Sequence, residues 1–352
     1  MKQITIYSPL GIPITDIKAT VFCAWQIAGM AEARFEIATS DPKCTEDNLR
    51  FGNIIRIQHD SLPDWVGFID FPREWGDGKV TVHAISAEVL MDWRLLLPYK
   101  LEGVSAAGLA RHVITQCNIW GGLPIYEGEL LETAQKVSYT VGGKAIDILN
   151  DMGIEWNVTA NEVNGVLRLY LNTHRWMGEV TRFVLDDKNS KNISPKLTEN
   201  GPIYNQMFLV GAVDSENARN FIEVRDETSI SRYGLRQAII EIEGLEISEL
   251  QATAEGKLSL FKDVSYTATP TVLNEGDAYK YMRLGNFVGW TTPTAYFTQT
   301  GGNGIEMQMR IVGMEWDELT DQVGLITESY QPFSPRGMFA SDIMVKKGIF
   351  RG

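Results

Sequence analysis

The stretch that decides the fold class is FGNIIRIQHDSLPDWVGFI, residues 51–69. It holds two short runs of β-branched and aromatic residues, at 53–57 and 65–69, and turn-forming residues separate them at 60–63. Two such runs divided by turn-forming residues predict two short strands.

Strand-like runs continue on both sides of these two predicted strands. Residues 3–6, 35–37 and 80–85 alternate apolar and polar side chains, as strands with one buried face do, and the apolar stretch 19–31 is interpreted as strands too. Short strands at regular spacing, divided by turns, are typical of a small barrel or sandwich. Residues 1–98 are therefore predicted to form a first β domain.

The pattern changes to mixed α and β near residue 100. Ser105 is a predicted N-cap because the apolar residues after it recur with a helical period. That stripe consists of Ala106, Leu109, Ala110, Val113, Ile114 and Cys117. A shorter helix fits residues 144–152, and Asn164-Gly165 between two alternating runs is a strong hairpin signal. We predict that residues 99–200 form a small α/β insertion.

A second β domain is predicted to span residues 201–321, where the β pattern returns. A strand–helix segment at about 226–262 interrupts it, and the clearest strand lies at 305–315, where Ile, Met, Met and Ile alternate with polar residues.

The C-terminal residues 322–352 show no convincing period. They carry more apolar side chains than a solvated tail needs, and residues 333–352 hold four basic residues against one acidic residue. A basic, apolar segment on an acidic chain is attracted to acidic surfaces. We predict a docking arm that a partner or a neighbouring copy orders, with folding back onto the second β domain as the alternative.

Composition limits the function classes. The chain has 352 residues, 44% of them hydrophobic, which suits two or three globular domains. Its net charge of −13 disfavours static binding to nucleic acid or to an anionic membrane. No run reaches the roughly 18 apolar residues of a transmembrane helix, and no secretory signal is predicted. The three cysteines lie far apart, which argues against disulfides or zinc and favours a reducing compartment.

No motif of a known catalytic chemistry occurs in the sequence: there is no G-x-S-x-G, no H-E-x-x-H and no phosphate-binding G-x-x-x-x-G-K. The four histidines lie at no metal-ligand spacing from one another or from a cysteine. They are His59, His83, His112 and His174. The glycine run 301–304 is interpreted as a hairpin turn because no helix follows it.

Two acidic groups are the candidates for a glycosidase dyad, although solvated strand and loop faces explain them better. They are Asp186-Asp187 and the run Glu241, Glu243 and Glu246. The nine tryptophans are spread evenly along the chain, which favours separate cores over an exposed carbohydrate platform. We expect no catalytic, cofactor-binding or metal site, and no enzymatic activity.

Four stretches, in this order and spacing, resemble one known family. Residues 51–57 with 65–69 resemble the hairpin of the family's first barrel, and residues 80–84 leading to Trp93-Arg94 resemble the strand that closes it. The family is that of the hub proteins at the tail tip or baseplate of long-tailed phages, which contractile injection systems share.

The other two stretches lie in the second half of the chain. Residues 226–236, DETSISRYGLR, match the family's D-x-x-S-I-x-x-Y-G run most closely. Residues 284–288, LGNFV, stand where relatives usually carry L-G-D-x-V, so Asn286 replaces an acid whose role is then in doubt.

The resemblance spans about residues 1–320 and implies a mainly β fold with α/β insertions. Two β-barrels similar to tail-tube subunits would lie in one chain, together with a small α/β domain. It implies a structural hub, a homotrimeric ring that adapts a six-fold tail tube to a three-fold tip and lines the channel for DNA ejection. The implied location is the virion tail tip, after assembly in the bacterial host cytoplasm.

The implied partners are a tail-tube or distal tail protein and a tip, spike or fibre protein. DNA would pass transiently without specific binding, and neither a cofactor nor membrane insertion is implied. An acidic wall suits the passage of DNA, and the same charge equally suits mere solubility.

Two other functions stay open at the level of sequence. The chain would be a tail-associated module that binds a host-surface carbohydrate or receptor, or a tail protein that degrades the cell wall. Only about 30 residues follow the second β domain, which we expect to be too few for a folded catalytic domain.

Overall fold

We describe the chain from a computed structural model. The residues that it describes are 2–119, 121–133, 137–151, 154–174, 178–185, 190–191, 198–200, 203–213, 219–241, 251, 254–255, 257–259, 261–262, 265–273, 277–292 and 305–329. The chain divides into two compact units, the first made of Met1–Leu149, Glu155–Lys196 and Ala268–Thr327, and the second of Asn150–Ile154, Leu197–Thr267 and Glu328–Gly352. The protein is mainly β, which confirms the predicted fold class.

The N-terminal region consists of strands, as its sequence pattern predicts. They are β1 (Lys2–Tyr7), β2 (Pro13–Ile17), β3 (Thr20–Gln26), β4 (Glu32–Ala38), β5 (Ile54–His59), β6 (Trp65–Gly76) and β7 (Lys79–Ser86). In β7, the alternate residues Val80, Val82 and Ala84 are buried, as the period of a strand requires. The hairpin that the family resemblance implies is confirmed, since β5 pairs with β6 in antiparallel register.

The next elements mix helices and strands. They are α1 (Val89–Trp93), β8 (Leu95–Val104), α2 (Ala106–Ile119), β9 (Ile125–Glu127), β10 (Val137–Lys144), α3 (Ala145–Asp151), β11 (Glu155–Val163), β12 (Val166–His174), β13 (Val180–Leu185), β14 (Ser190–Lys191) and β15 (Thr198–Asn200). Both predicted helices are confirmed, and the Gly108 N–H donates to the Ser105 hydroxyl at 3.1 Å where α2 begins. Asn164 and Gly165 both have positive φ angles, as the predicted two-residue turn between β11 and β12 requires.

The second unit contains a three-stranded sheet. Its elements are β16 (Gln206–Val213), β17 (Arg219–Arg225), α4 (Glu227–Tyr233) and β18 (Gln237–Glu241). β16 lies in the middle, antiparallel to β17 and parallel to β18. The helical residues Ala254 and Leu258 pack against Met207, Leu209 and Ile240 on one face of this sheet, where the sequence predicts a helix.

The last strands are divided between the units. They are β19 (Ser265–Ala268), β20 (Thr271–Leu273), β21 (Phe287–Thr292), β22 (Ile305–Asp317) and β23 (Gln322–Ser329), with a 3₁₀ turn at Ala278–Tyr281 between β20 and β21. In the second unit, β15 pairs with β19. In the first unit the strand order is β14-β20-β23-β22-β3-β4-β7-β6-β5-β1-β2, and β21 pairs with both β22 and β13.

The pairing of β22 with β3 unites two parts of the chain that the sequence assigns to different β domains. Gly313 lies opposite Gln26 and Glu315 opposite Ala24, near opposite ends of the sequence. The strand order of the described residues is an open path, so the closure of two tube-like barrels stays a prediction. The predicted domain boundaries at residues 98, 200 and 321 stay predictions as well.

The predicted docking arm begins too early. Residues 322–329 form β23, which pairs with β20, and alternate residues Val323 and Leu325 are buried. Assigning residues 322–329 to the arm is therefore wrong, because Val323 and Leu325 belong to the buried phase of a strand. The rest of the predicted arm, 330–352, lies outside the described residues.

Candidate functional site

The sheet formed by β11, β12 and β9 has two faces of opposite chemistry. β12 lies in the middle, antiparallel to β11 and parallel to β9. One face is apolar and buried, with α2 packed against β9 and β12. Its side chains are Trp156, Val158, Leu167, Leu169 and Leu171. Because side chains alternate along a strand, every second residue belongs to the other face.

That other face is polar and lines a groove within the first unit. It contributes Asn157, Thr159, Asn161, Tyr170, Asn172 and His174. The opposite side of the groove is lined by Gly178, Glu179, Lys280, Arg283, Leu284 and Asn286, and the end of β9 adds Glu127, Gly128 and Glu129. We call these residues the polar groove; it encloses about 950 Å³. Of the described residues that line it, Leu284 alone is aliphatic.

Two buried asparagines hold the two sides of the polar groove. The Asn172 Oδ1 accepts from the Glu129 N–H at 2.9 Å, and its Nδ2 donates to the Thr159 hydroxyl at 3.0 Å. Across the groove, the Asn286 Oδ1 accepts from the Glu179 N–H at 2.9 Å, and its Nδ2 donates to the Tyr281 carbonyl at 2.9 Å. A carboxylate at residue 286 has no hydrogen to donate, so the amide that replaces the family's acid has a structural role here.

Carboxylates dominate the charge of the polar groove. Glu127 pairs with Arg111 at 3.1 Å, whereas Glu129 and Glu179 have no ion-pair partner for their carboxylates among the described residues. The cations are engaged: Lys280 pairs with Asp277 at 2.7 Å, and the Arg283 Nη1 donates to the carbonyls of Ser61, Tyr279 and Met282 at 2.8–3.0 Å. Burial also lowers the pKa of Arg283.

His174 lies at one end of the polar groove. Its Nε2 is 3.3 Å from the Asn157 Oδ1, so the ring and the amide orient each other. Burial lowers the pKa of His174, and the carboxylates of Glu129 and Glu155 oppose that shift. The imidazole is therefore neutral at physiological pH and acts as a polar group without charge.

A second surface of the first unit is apolar and exposed. Leu95 and Leu97 lie on one side of β8 with 63% and 51% of their surface exposed, while Leu96 between them is buried. Trp93, just before β8, is also exposed and meets the Phe68 ring edge-on at 5.2 Å between centroids. We call Trp93, Leu95 and Leu97 the apolar ridge. Such contiguous exposed apolar groups mark interaction sites in soluble proteins.

The second unit exposes an apolar surface of its own. On the face of its sheet that lies away from Ala254 and Leu258, Phe221 and Ile239 are 64% and 69% exposed. Val210 lies opposite Phe221 and Phe208 lies opposite Ile239, and both are partly exposed.

The histidines that sequence analysis singled out do not come together. They lie on β5, β7, α2 and β12, and the His59 Nδ1 accepts from the N–H groups of Ser61 and Leu62. Within the described ranges, no three His, Cys, Asp or Glu side chains cluster closely enough to hold a metal ion. Asp186-Asp187, Glu243, Glu246 and the glycine turn 301–304 lie outside the described residues, and of Glu241 only the backbone is described.

The cysteines of the described residues are free thiols. Cys23 and Cys117 are buried, and burial raises the pKa of the Cys117 thiol to about 11. A thiol with such a pKa stays protonated and unreactive at neutral pH. No helix in the described part of the chain is long and apolar enough to cross a bilayer.

The D-x-x-S-I-x-x-Y-G run is the N-terminal cap and body of α4. The Asp226 Oδ1 accepts from the Ser229 N–H at 2.8 Å, and its Oδ2 pairs with Lys262 at 2.8 Å. These contacts lower the pKa of Asp226, with the Lys262 hydrogen bond as the largest cause. Gly234 ends the helix with a positive φ angle. The motif is explained by capping and does not form a ligand site.

Apart from His174 and Asn286, the residues of the polar groove were missed by sequence analysis. Their signal was present as the polar phase of the β11–β12 hairpin, in which Arg168 and Tyr170 alternate with leucines. That phase alone does not tell a solvated strand face from the wall of a groove.

Comparison with solved structures relates this fold to known proteins. Prophage tail protein gp18 from Listeria monocytogenes EGD-e is 15% identical with a TM-score of 0.61, and the match covers 98% of this chain and 100% of that chain. This chain has the fold of prophage tail proteins. The resemblance that its sequence motifs carry is confirmed at the level of the fold.

Two further tail proteins match over almost their whole length. The tail protein from Neisseria meningitidis MC58 is 11% identical with a TM-score of 0.62, covering 96% of this chain and 99% of that one. The 43 kDa tail protein of prophage MuSo2 from Shewanella oneidensis is 11% identical with a TM-score of 0.59, covering 94% and 98%. No family model matches the sequence. No curated protein matches it either.

Proposed function

We propose that this chain is a structural component of a phage tail, a hub at the tail tip that assembles as a homotrimeric ring. The observation that carries the proposal is the likeness to prophage tail protein gp18, which extends over 98% of this chain and 100% of that protein. Because the match covers nearly the whole of both chains, it supports a shared role more strongly than a match to a single domain would.

The apolar ridge is the surface that we assign to the contact between copies. A three-fold ring closes through head-to-tail contacts, so the ridge of each copy would pack against a different surface of the next copy. Trp is enriched among the residues that dominate binding energy, and the ridge contains Trp93. Leu95 and Leu97 follow it on one side of β8.

The ring would surround a channel for DNA between the tail tube and a tip, spike or fibre protein. The net charge of −13 suits this role, because acidic walls do not retain a phosphate backbone. We also propose that the chain has no hydrolytic activity. Purified protein should therefore leave cell-wall substrate intact, and clearing of that substrate would contradict this part of the proposal.

Mass and imaging of the purified full chain test the ring. Light scattering should give three times the chain mass of 39.4 kDa, and negative-stain images should show a ring with a central opening. Leu97→Glu places a charge on the apolar ridge and should yield monomers. Leu319→Glu is the matched control, since Leu319 is 78% exposed outside the ridge and should leave the trimer intact.

A monomer that persists when tail-tube protein is added would contradict the trimeric hub. If both leucine variants stay trimeric, the ring exists but the ridge is not its interface.

A further inference from the structure

We propose that the polar groove binds a neutral saccharide chain. The chemistry of its lining points to this ligand class rather than to an apolar or an anionic one. The inference goes beyond the structural role proposed above and does not depend on the trimeric ring.

The hydrogen-bonding capacity of the polar groove is only partly used within the protein. The side-chain amides of Asn172 and Asn286 form hydrogen bonds that stabilise the walls of the groove. The Asn157 amide uses its oxygen for His174, and within the described residues its Nδ2 has no acceptor. The Asn161 amide likewise has no hydrogen-bond partner in the described part of the chain, and it lies on the same strand face.

Amides and carboxylates in one groove suit vicinal hydroxyl groups. A hydroxyl both donates and accepts, a carboxylate accepts two hydrogen bonds, and an amide offers donors beside an acceptor. Asn157 and Asn161 supply donors, and Glu129 and Glu179 supply acceptors. Each of these groups gains a partner that is neutral and polar, which is the character of a sugar ring.

Charge disfavours the anionic alternatives. The groove contains three glutamates, Lys280 pairs with Asp277, and the Arg283 Nη1 donates to three carbonyls. A phosphate-bearing polymer entering beside Glu129 and Glu179 would meet repulsion from two carboxylates that have no ion-pair partner among the described residues. A neutral ligand avoids that cost.

An aromatic surface lies on the same sheet face. The Tyr170 and Tyr126 rings are 5.6 Å apart between centroids, and the Arg168 guanidinium lies 5.0 Å from the Tyr126 centroid. These contacts fix the orientation of the ring pair. The C–H face of a sugar is apolar, so it packs on a tyrosine ring while the hydroxyl groups reach the polar side chains.

The size of the groove suits a short oligosaccharide. Its volume of about 950 Å³ is at the upper end of the range of small-molecule sites. A peptide is a poorer fit, because peptide side chains gain affinity in apolar pockets and Leu284 alone among the described lining residues is aliphatic.

Calorimetry on the purified full chain tests the proposal. The probes are neutral oligosaccharides of glucose, galactose, rhamnose or N-acetylglucosamine, a glycerol-phosphate polymer as the anionic comparison, and a library of short peptides. We expect one neutral oligosaccharide to bind with a Kd between about 1 μM and 1 mM. Saturation-transfer NMR should show that its C–H protons contact the protein.

Substitutions locate the binding. Asn157→Ala and Tyr170→Ala should each weaken binding about tenfold or more, and Tyr170→Phe should retain most of it if the ring face is what matters. Trp75→Ala is the control outside the groove, since Trp75 is 66% exposed on β6, and it should bind as the parent does. Melting temperatures of all variants show that each one is folded.

Four results of the binding experiments would overturn the proposal. They are no binding of any neutral oligosaccharide, binding that Asn157→Ala and Tyr170→Ala leave unchanged, preference for the glycerol-phosphate polymer, and preference for a peptide. If the two groove variants instead change the mass measured by light scattering, the groove is a contact between copies and the proposal fails.

Discussion

Two three-stranded sheets of this chain share a strand arrangement and differ in what they expose. β12 in the first unit and β16 in the second each lie between an antiparallel and a parallel neighbour, with helical residues on one face. The exposed face of the first is polar, around Asn157 and Tyr170, whereas that of the second is apolar, around Phe221 and Ile239.

This comparison shows that the pairing of the strands and the chemistry of the exposed face depend on different residues. One phase of the alternation is buried in both sheets and stabilises the fold, so it must be apolar. The other phase is under no such demand, and its residues are free to suit different ligands or partners. Substitutions in the two phases should therefore have effects of very different size.

The largest effect is expected where the polar face of the first sheet meets a buried charge. Glu155 on β11 and Arg310 on β22 form an ion pair in which both side chains are less than one-tenth exposed. Arg310→Met leaves the buried carboxylate without this cation, which should lower the free energy of unfolding by about 3–5 kcal/mol. Urea denaturation measures the loss.

A double variant is the control for this ion pair. Glu155→Leu combined with Arg310→Met should recover most of the stability, because a buried apolar pair needs no compensating charge. If the double variant is as unstable as Arg310→Met alone, the loss has another cause.

The inner faces of the two sheets should respond alike. Leu169→Ala in the first unit and Leu209→Ala in the second remove fully buried side chains, so each should cost about 2–5 kcal/mol of unfolding free energy. Phe221→Ser on the outer face of the second sheet should change it by no more than about 0.5 kcal/mol. A loss at Phe221 as large as that at Leu209 would mean that the outer face is covered, and the contrast between the phases would fail.

A smaller effect is expected from restoring the family's acid at the wall of the polar groove. Asn286→Asp removes the donor to the Tyr281 carbonyl and buries a carboxylate, which should cost about 1–3 kcal/mol. Because a protonated carboxyl can donate, the loss should shrink as the pH falls below the pKa of the new acid. Asn161→Asp, at an exposed position on the same groove, should cost little at any pH.

The smallest expected effect is a difference between the two units in how their stability depends on pH. Burial lowers the pKa of His174 below its ordinary value of 6.5, so the unfolded chain takes up this proton more readily than the folded one. The stability that neutral His174 contributes is complete above that value and is lost as the pH falls through the folded-state pKa. The second unit contains no histidine, so its stability lacks this dependence.

Melting temperatures at about pH 7.5 and about pH 5.5 check this expectation. His174→Gln should show a smaller drop between the two values than the parent chain. An equal drop in melting temperature in the parent and the variant would mean that His174 does not cause the pH dependence.

Sequence patterns predicted the helices and turns that depend on residues close together in the chain. The 3.6-residue stripe after Ser105 predicted α2, and Asn164-Gly165 predicted the β11–β12 turn, because helix capping and positive φ angles depend on neighbours in the chain. The pattern failed for residues 322–329, whose short alternation gave no sign that β20 would pair with it.

The polar groove is a clearer case of a feature that the sequence alone does not predict. Asn157 and Tyr170 read as an ordinary solvated strand face, and Arg283 and Asn286 lie more than a hundred residues further along the chain. The mainly β class, the helices and turns, and the motifs that resemble those of phage tail proteins are already visible in the sequence, because they depend on periodicity and turn chemistry within short windows. The pairing of β22 with β3 and the meeting of these four residues in one groove become visible only in the folded chain. Such contacts arise from burying distant apolar faces together, which no local pattern specifies.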